Sequence, residues 1–318
     1  MLPLGLSMLW ESGEPRDALR ERFGFDTFET VAEWTSRALE ETWGITVAGC
    51  LRMVISDQNA VLWVSSDRGD LVVKWSRARA HFGGLEATTR LLRLLAARGV
   101  PVAAPIATVD GLDRVALDGP AGALSVAVQP ELSGHWLDVT DDAAVRSAGA
   151  CLARVHRALG ASRQDEAPAM SRPAALDARI DEWLAGGHRG PAPEASRRLA
   201  GLVSRAPELD DSVQLVHNDF RAANILTRDS RVVGVLDFDD VVVDHRVSDL
   251  AKACVYLGTR FTDWRPTPTA VRQTLCAGYE SVRPLSRAEA RWLEIVVLWH
   301  GLMALPGGDD AAGWASAV

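Results

Sequence analysis

The sequence predicts an α+β fold with a strand-rich N-terminal part and a mainly helical C-terminal part. Two observations support this prediction. Short apolar runs rich in Val, Leu, Ile and Trp, bounded by polar clusters, are concentrated before residue 130, and such runs are typical of strands. After residue 134 the apolar residues recur mostly at the helical period. A length of 318 residues suits two compact domains or one large one.

The N-terminal part predicts a helical leader, three strands, a helix and a hairpin. The leader covers residues 1–44. A helix predicted at 82–98 ends before Gly99 and Pro101, because neither residue favours the continuation of a helix. The elements after the leader are strands at 45–55, 60–66 and 70–75, a helix at 82–98, and strands at 114–118 and 123–129. Together they predict a five-stranded antiparallel sheet.

The C-terminal part predicts helices with two short strands among them. The helices are expected at 141–159, 174–185, 247–257, 267–282 and 286–304, and the strands at 213–217 and 231–237. Polar stretches with Gly and Pro, 160–173 and 186–193, flank the second helix. We predict a hinge at 129–134 that separates an N-terminal domain, residues 1–128, from a C-terminal domain, residues 135–318.

Composition argues against several classes of protein. The net charge of −8 and the pI near 5.4 disfavour nucleic acid as a partner, because phosphate backbones are bound by clustered Lys and Arg. The apolar runs are too short to span a membrane, and the apolar start lacks the basic residues of a signal peptide. The four cysteines form no C-x-x-C pair, which favours thiols in a reducing compartment. We therefore expect a cytoplasmic protein without a membrane partner.

Lysine and asparagine are unusually scarce. Of 34 basic residues only Lys74 and Lys252 are lysine, and asparagine occurs only at Asn59, Asn218 and Asn224. A GC-rich coding sequence would give such depletion, so each surviving lysine or asparagine marks a position where a substitute does not serve. Lys252 is the exception in our interpretation, because it follows a predicted helix start and reads as a surface residue.

Polar residues collect where two apolar strands end. Residues 215–226 read Leu-Val-His-Asn-Asp-Phe-Arg-Ala-Ala-Asn-Ile-Leu, and residues 232–239 read Val-Val-Gly-Val-Leu-Asp-Phe-Asp. Phosphoryl transfer needs a carboxylate that accepts the hydroxyl proton, and an amide and a second carboxylate that hold magnesium on the phosphates. Asp219 and Asn224 share one loop, and Asp237 ends the next strand. These residues predict a kinase site.

These motifs resemble the aminoglycoside phosphotransferase and choline kinase superfamily. The pattern His-x-Asp-x-x-x-x-Asn matches as His217, Asp219 and Asn224, Asp237 matches the metal-binding aspartate, and Asp249 fits the helix-start aspartate that braces the catalytic loop. The resemblance implies a bilobal protein-kinase-like fold that binds ATP and Mg²⁺ between a sheet lobe and a helical lobe. Departures from the family pattern, at Asn218, Arg221 and Ala222, fall on substrate-facing positions.

The resemblance also implies roles in the C-terminal lobe. Asp219 is expected to be the catalytic base, and Asn224 and Asp237 the magnesium ligands. His217 is expected to orient the loop without acting as a base, and Asp249 to support it.

In the N-terminal lobe the resemblance implies that Lys74 binds the α- and β-phosphates of ATP. Glu86, on the following helix, is expected to orient Lys74, although Arg90 at i+4 is an alternative partner. Asn59 lies in the turn expected over the phosphates. The edge of adenine needs one hydrogen-bond acceptor and one donor from the backbone. Pro130 has no N–H and can offer only its carbonyl oxygen, so the amide of Leu132 is the expected donor.

The expected substrate is a small hydroxylated molecule. Candidate contacts are acidic or aromatic residues in the segments that the resemblance assigns to the acceptor: Asp181, Glu182, Asp244, Asp263 and Trp264. Their chemistry favours a cationic group, which suits an aminoglycoside-like or other antibiotic. A metabolite kinase acting on an amino alcohol, a sugar or homoserine is the alternative.

Other functions are less favoured. A protein kinase would have glycine at Asp239 and an Ala-Pro-Glu end to its activation segment. A two-metal phosphohydrolase could be built from His217, Asp219, Asp237, Asp239 and His245, but it would not need Lys74 or a strand-rich first lobe. A nucleotide-binding module without catalysis would not need to keep every expected polar group.

Overall fold

The computed structural model describes residues 4–161, 171–186, 192–209 and 213–318. The predicted polar stretches 160–173 and 186–193 therefore lie largely outside the described residues. The chain divides into two compact units, the first ending at Leu132 and the second beginning at Ser133. Within the described ranges no helix is both long and apolar enough to cross a membrane.

Unit one is built on a sheet with the strand order β1-β2-β3-β4-β6-β5 in its described part. The strands are β1 (Gly5–Met8), β2 (Val47–Ile55), β3 (Asn59–Ser66), β4 (Gly69–Ser76), β5 (Val115–Gly119) and β6 (Gly122–Pro130). The five predicted strands are all present and pair antiparallel. The sixth strand, β1, pairs parallel with β2 and corrects the prediction of a wholly helical leader. Its four residues are too few for periodicity to separate strand from helix.

The described part of unit one also contains two α-helices in the leader and one α-helix after β4. They are α1 (Pro15–Phe23), α2 (Phe28–Trp43) and α3 (Phe82–Ala97). Leader residues fill one face of the sheet: Trp75 of β4 lies with its ring centroid 5.6 Å from Phe25 and 5.0 Å from Trp34. Val73 and Trp75 belong to this core. Because side chains alternate along a strand, Lys74 lies on the opposite face of β4.

Unit two is mainly helical, as predicted, with small sheets between the helices. Its elements are β7 (His135–Trp136), α4 (Asp142–Gly160), α5 (Leu176–Ala185), α6 (Pro193–Val203), β8 (Gln214–Val216), β9 (Ile225–Arg228), β10 (Arg231–Val235), β11 (Val242–Asp244), α7 (Arg246–Tyr256), α8 (Thr269–Glu280) and α9 (Arg287–Met303). The small sheets have the orders β10-β9-β7 and β11-β8. Helix α6 and strands β7, β9 and β11 were not predicted, because they are short or lie beside turn residues.

Helices α4 and α8 approach so closely that two glycines are required between them. A Cβ atom at Gly149 would overlap the carbonyl oxygen of Leu275, and one at Gly278 would overlap that of Arg146. The close approach brings the buried rings of His156 and Tyr279 together, with their centroids 5.5 Å apart. Both rings belong to the support of the candidate site.

Candidate active site

A loop after β8 carries the predicted catalytic residues, and Asp249 in the first turn of α7 holds it. The buried carboxylate of Asp249 accepts hydrogen bonds from the backbone amides of His217 (3.1 Å) and Asn218 (2.8 Å). Asn218 has a φ of 68°, a left-handed conformation that asparagine tolerates better than most residues. The loop therefore makes a sharp turn, and the side chain of Asp249 alone binds both backbone amides of that turn.

Asp249 is itself fixed by a buried chain of hydrogen bonds. Nε2 of His156 lies 2.8 Å from its Oδ2, and Nδ1 of His156 lies 2.8 Å from the hydroxyl of Tyr279. Burial alone would raise the pKa of Asp249. Hydrogen bonds from His156 and from the amide of Asn218 outweigh burial and lower that pKa below its ordinary value. The carboxylate stays ionised where an isolated buried acid would not.

His217 has both ring nitrogens engaged. Its Nδ1 accepts the amide proton of Asp219 (3.2 Å), and its Nε2 donates to the carbonyl oxygen of Leu236 (3.0 Å). The ring is buried and lies 4.5 Å from the ring of Phe238, between centroids. A histidine with both nitrogens committed to backbone groups positions the loop and has no free nitrogen with which to take a substrate proton.

Asp219 lies at the centre of a compact polar group. Nε of Arg221 donates to both of its carboxylate oxygens, at 2.9 and 3.0 Å. Nδ2 of Asn224 donates to Oδ2 at 2.7 Å and to the backbone oxygen at 3.0 Å. The side chain of Asp219 is 23% exposed, so the carboxylate is held in place and is still accessible to a ligand. This is the geometry expected of a general base.

Asn224 and Asp237 are oxygen donors suited to a hard cation. The amide of Leu236 donates to the carbonyl oxygen of Asn224 (2.8 Å), which joins the end of β10 to the catalytic loop and brings Asp237 beside it. Because Nδ2 of Asn224 faces Asp219, its Oδ1 is directed elsewhere. Asp237 has a φ of 61°, a backbone conformation that costs free energy and is common at functional sites.

This donor set fits a magnesium–nucleotide complex better than a metal cage. The described residues contain no group of three or more His, Cys, Asp or Glu side chains arranged to hold a metal ion. Mg²⁺ is typically held by one or two protein oxygens together with substrate phosphates and water. A phosphohydrolase with two protein-bound metals, built from His217 and its acidic neighbours, would need the larger cluster and a free imidazole.

A cavity of about 450 Å³ opens beside Asp219 within unit two. It is lined by Arg179, Asn218, Asp219, Phe220, Arg221, Asp244, Ser248, Lys252, Tyr256, Thr259, Trp264, Trp299, His300 and Met303. The volume lies within the range of small-molecule sites. A ligand in this cavity would lie against the predicted base.

Three buried polar atoms on the lining have no hydrogen-bond partner. They are Nη1 of Arg221, Nε1 of Trp299 and Nε2 of His300. An unsatisfied buried polar group costs about 1–3 kcal/mol, and a bound polar ligand would remove that cost. Burial lowers the pKa of His300 to about 3, helped by the charges of Lys252 and Arg179 against those of Asp244 and Asp249. The imidazole is therefore neutral at physiological pH.

The five predicted acceptor contacts separate into two groups. Asp244 and Trp264 line the cavity. Asp181 and Glu182 are exposed on α5, and Asp263 forms an exposed ion pair with Arg265 at 2.7 Å. These three do not line it.

The remaining predicted residues lie in unit one. Lys74 is half-buried in β4, paired in register with Val61 of β3 and Ala127 of β6. Glu86 is exposed on α3 and forms its ion pair with Arg90, the i+4 alternative, at 3.8 Å. Asn59 is exposed at the start of β3, where its carbonyl oxygen accepts the amide of Ser56 and closes a tight turn.

The predicted adenine contacts lie at the end of unit one. Pro130 ends β6, and Leu132 is the last residue of the unit. The amide of Glu131 donates to the carbonyl oxygen of Asp70 (2.9 Å). Because proline has no amide proton, Leu132 supplies the uncommitted donor among residues 130–132.

Sequence reasoning missed several residues of the site. Arg221 was noted only as a departure from the family pattern, and Lys252 was interpreted as surface although it is half-buried and lines the cavity. Its scarcity was the signal that could have found it. The sequence contains no signal for the role of His156, because its partners Asp249 and Tyr279 lie on distant helices, nor for that of His300, whose position on the cavity is set by tertiary packing.

Comparison with known proteins identifies what this chain is similar to. The family model described as "Phosphotransferase enzyme family" matches residues 55–293. A homoserine kinase of Gluconacetobacter diazotrophicus is 28% identical over 247 residues, covering 76% of this chain and 74% of its own.

Two solved structures, each covering most of this chain, show the same fold. A microcompartment-associated aminopropanol kinase has a TM-score of 0.62 at 18% identity and covers 90% of this chain and 93% of its own. A spectinomycin phosphotransferase solved with ADP and spectinomycin has a TM-score of 0.60 at 14% identity and covers 85% of each chain. At such identities the likeness concerns the fold and leaves the substrate open.

Proposed function

The chain belongs to the phosphotransferase enzyme family and is an ATP-dependent O-phosphotransferase, and from this premise we propose that Asp219 is its catalytic base. The observation that carries the proposal is the position of Asp219 on the wall of the 450 Å³ cavity, held by Arg221 and Asn224. A hydroxyl in that cavity can donate its proton to the carboxylate while the oxygen attacks the γ-phosphate.

The other polar residues position the reactants. Asn224 and Asp237 offer the oxygens that would hold Mg²⁺, and Lys74 is the residue proposed for the α- and β-phosphates, with Glu86 to orient it. When bound, Mg²⁺ neutralises charge on the transferred phosphoryl group. Asn59, Pro130 and Leu132 are proposed to contact the nucleotide. His217 and Asp249 keep the loop fixed, so that the base does not have to be reorganised during the reaction.

The proposed acceptor is a small hydroxylated metabolite of the homoserine type. Homoserine kinases are among the relatives of this chain, and a half-buried lysine on the cavity wall suits a substrate that carries a carboxylate. The second candidate is an antibiotic with a free hydroxyl, the class to which the substrate of the spectinomycin phosphotransferase of the same fold belongs. Cavity volume favours neither candidate, whereas the lysine on the wall supports the first.

A phosphoryl-transfer screen with the Asp219→Asn variant as control tests this function. Purified enzyme is incubated with γ-labelled ATP and Mg²⁺ over a panel of hydroxy amino acids, amino alcohols, sugars and antibiotics. We expect at least one acceptor to be phosphorylated, and the variant to lose about 10²–10⁴-fold in kcat with little change in the KM for ATP. Turnover of the variant within about tenfold of wild type would remove Asp219 as the base.

A further inference from the structure

The cavity beside Asp219 carries more positive than negative side chains. Its cationic side chains are Arg179, Arg221 and Lys252, and its anionic side chains are Asp219 and Asp244. Arg179 pairs with Asp244 at 2.9 Å, and Arg221 pairs with Asp219 at 2.9 Å. Nζ of Lys252 donates instead to the neutral Oδ1 of Asn218 at 3.1 Å, so one positive charge on the wall has no carboxylate partner among the described residues.

Arg221 has a second function available beside its bond with the base. Its Nε is committed to Asp219, whereas its Nη1 is buried and without a hydrogen-bond partner. The guanidinium is planar and its nitrogens form a rigid fork. An anionic group of the substrate bound at Nη1 would therefore lie next to the carboxylate of Asp219. Within the substrate, only a few bonds would separate that group from the hydroxyl that donates to Asp219.

The carboxylates and the two tryptophans on the wall, which could bind a cationic substrate, already contact arginines. Asp244 accepts hydrogen bonds from Arg179 and from the hydroxyl of Ser248 at 3.0 Å. Arg221 lies over the ring of Trp264, 5.6 Å from its centroid, and Arg179 lies over Trp299 at 5.5 Å. Cation–π binding of an amine needs an open aromatic face. On these two tryptophans the amine would instead meet a positively charged arginine.

We propose that this cavity recognises a carboxylate on the acceptor, bound by Lys252 and by Nη1 of Arg221, so that the substrate is a compact hydroxy acid or hydroxy amino acid. This inference rests on the proposed function and deepens it. It reverses the cationic substrate that the acidic residues of the sequence suggest. Lys252 is a specificity-determining residue, and Asn218 positions it.

Matched acceptor pairs and one charge-removing variant test the inference. Homoserine, serine and glycerate are each compared with their carboxamides, and aminopropanol represents a hydroxylated amine without a carboxylate. Transfer is followed as ADP release, and binding is measured separately by titration calorimetry. Lys252→Gln removes the charge but keeps a donor for Oδ1 of Asn218, and Lys252→Arg keeps the charge. Arg197→Gln, which removes an exposed charge on α6 outside the cavity, is the matched control.

We expect wild type to prefer at least one hydroxy acid over its carboxamide by tenfold or more in kcat/KM. Lys252→Gln should lower kcat/KM for that acid by about 10- to 100-fold, the usual effect of a charge-assisted hydrogen bond. In the same variant, kcat/KM for the matching carboxamide and the KM for ATP should change little. Lys252→Arg should retain most of the preference, and Arg197→Gln all of it.

The outcomes separate this inference from the proposed function. Transfer with no preference for any acid over its amide, or equal loss of all acceptors in Lys252→Gln, overturns the carboxylate site and leaves the kinase standing. Binding of an acid in preference to its amide, lost in Lys252→Gln but without transfer, supports the carboxylate site and refutes phosphotransfer to that class. If no acid binds better than its amide, the inference is wrong.

Discussion

Replacing Asp249 by asparagine should destabilise the protein and slow catalysis together. The carboxylate accepts hydrogen bonds from Nε2 of His156 (2.8 Å) and from the amides of His217 (3.1 Å) and Asn218 (2.8 Å). Oδ2 takes the first two and Oδ1 the third. An asparagine has a single acceptor oxygen, so its amide nitrogen must face at least one of these donors.

The cost follows from that count of bonds. At best the variant keeps two bonds, now to a neutral acceptor, and loses one charge-assisted bond worth about 1.5–3 kcal/mol. Weakening the other two adds about 1–2 kcal/mol, and the buried donor–donor contact opposes any recovery. We expect the free energy of unfolding to fall by about 3–5 kcal/mol. Since the loop that carries Asp219 is displaced, kcat should fall by about 10- to 100-fold.

Denaturant unfolding and steady-state kinetics measure the two effects. Tyr279→Phe is the control, because it removes only the hydroxyl that contacts Nδ1 of His156 and should cost about 1 kcal/mol. A loss of less than about 1 kcal/mol in Asp249→Asn, with kcat within threefold of wild type, would refute the role of Asp249 as the support of the loop.

The pH dependence of the same variant has a definite sign. The pKa of Asp249 is lowered from its ordinary value of 3.8, so the group contributes stability above that value and loses it as pH falls through the folded pKa. The difference in unfolding free energy between wild type and Asp249→Asn should therefore be constant from pH 5 to 7 and shrink only below about pH 4. A gap that closes between pH 5 and 7 would contradict the lowered pKa.

Three further changes test other parts of the structure. Asp237→Ala should abolish turnover and weaken binding of the Mg²⁺–ATP complex more than that of metal-free ATP, measured by calorimetry; equal losses would indicate a purely structural role. Lys74→Arg should raise the KM for ATP or lower kcat, because a guanidinium differs from an ammonium in shape and hydration, and unchanged kinetics would contradict its phosphate role. Gly149→Ala should lower the free energy of unfolding by about 1–3 kcal/mol or more, because its Cβ atom would overlap Leu275. The control, Gly83→Ala at an open helical position, should raise the free energy of unfolding by about 0.5–1 kcal/mol. Equal effects of the two substitutions would mean that α4 and α8 do not approach closely.

Periodicity predicted the fold class, and the resemblance of the motifs around His217, Asp219, Asn224 and Asp237 predicted the family; both are confirmed. The five strands between 45 and 129 were found because each is an apolar run bounded by turn residues. Strand β1 was missed, since Gly5–Met8 is stabilised by its neighbour β2 and not by a local pattern. The ATP-dependent phosphotransferase activity predicted from Asp219, Asn224 and Asp237 is confirmed as a class, while the role of each residue stays a prediction.

The net charge of the cavity wall could not be predicted, because it depends on which charged side chains pair with one another. Counting acidic residues in the acceptor segments favoured a cation, but such a count cannot show that Asp244 pairs with Arg179 or that Asp181 is exposed on α5. Residues far apart in sequence decide which charge is left over, and local sequence contains no information on those contacts. The same limit hid the contact between Cys254 and Cys276, whose sulfur atoms lie 3.4 Å apart.

Scarcity was a better guide to the site than local context. Composition alone marked Lys252 and Asn218 as positions where no substitute serves, but the surface interpretation of Lys252 set that argument aside. The structure joins the two residues by a hydrogen bond on the cavity wall. In a chain that otherwise uses arginine, a lysine at this position offers a compact, strongly hydrated charge on a flexible stem. Such a group can hold Asn218 in the absence of substrate and reach a carboxylate when one binds, which a guanidinium fork fixed by its own geometry would do less well.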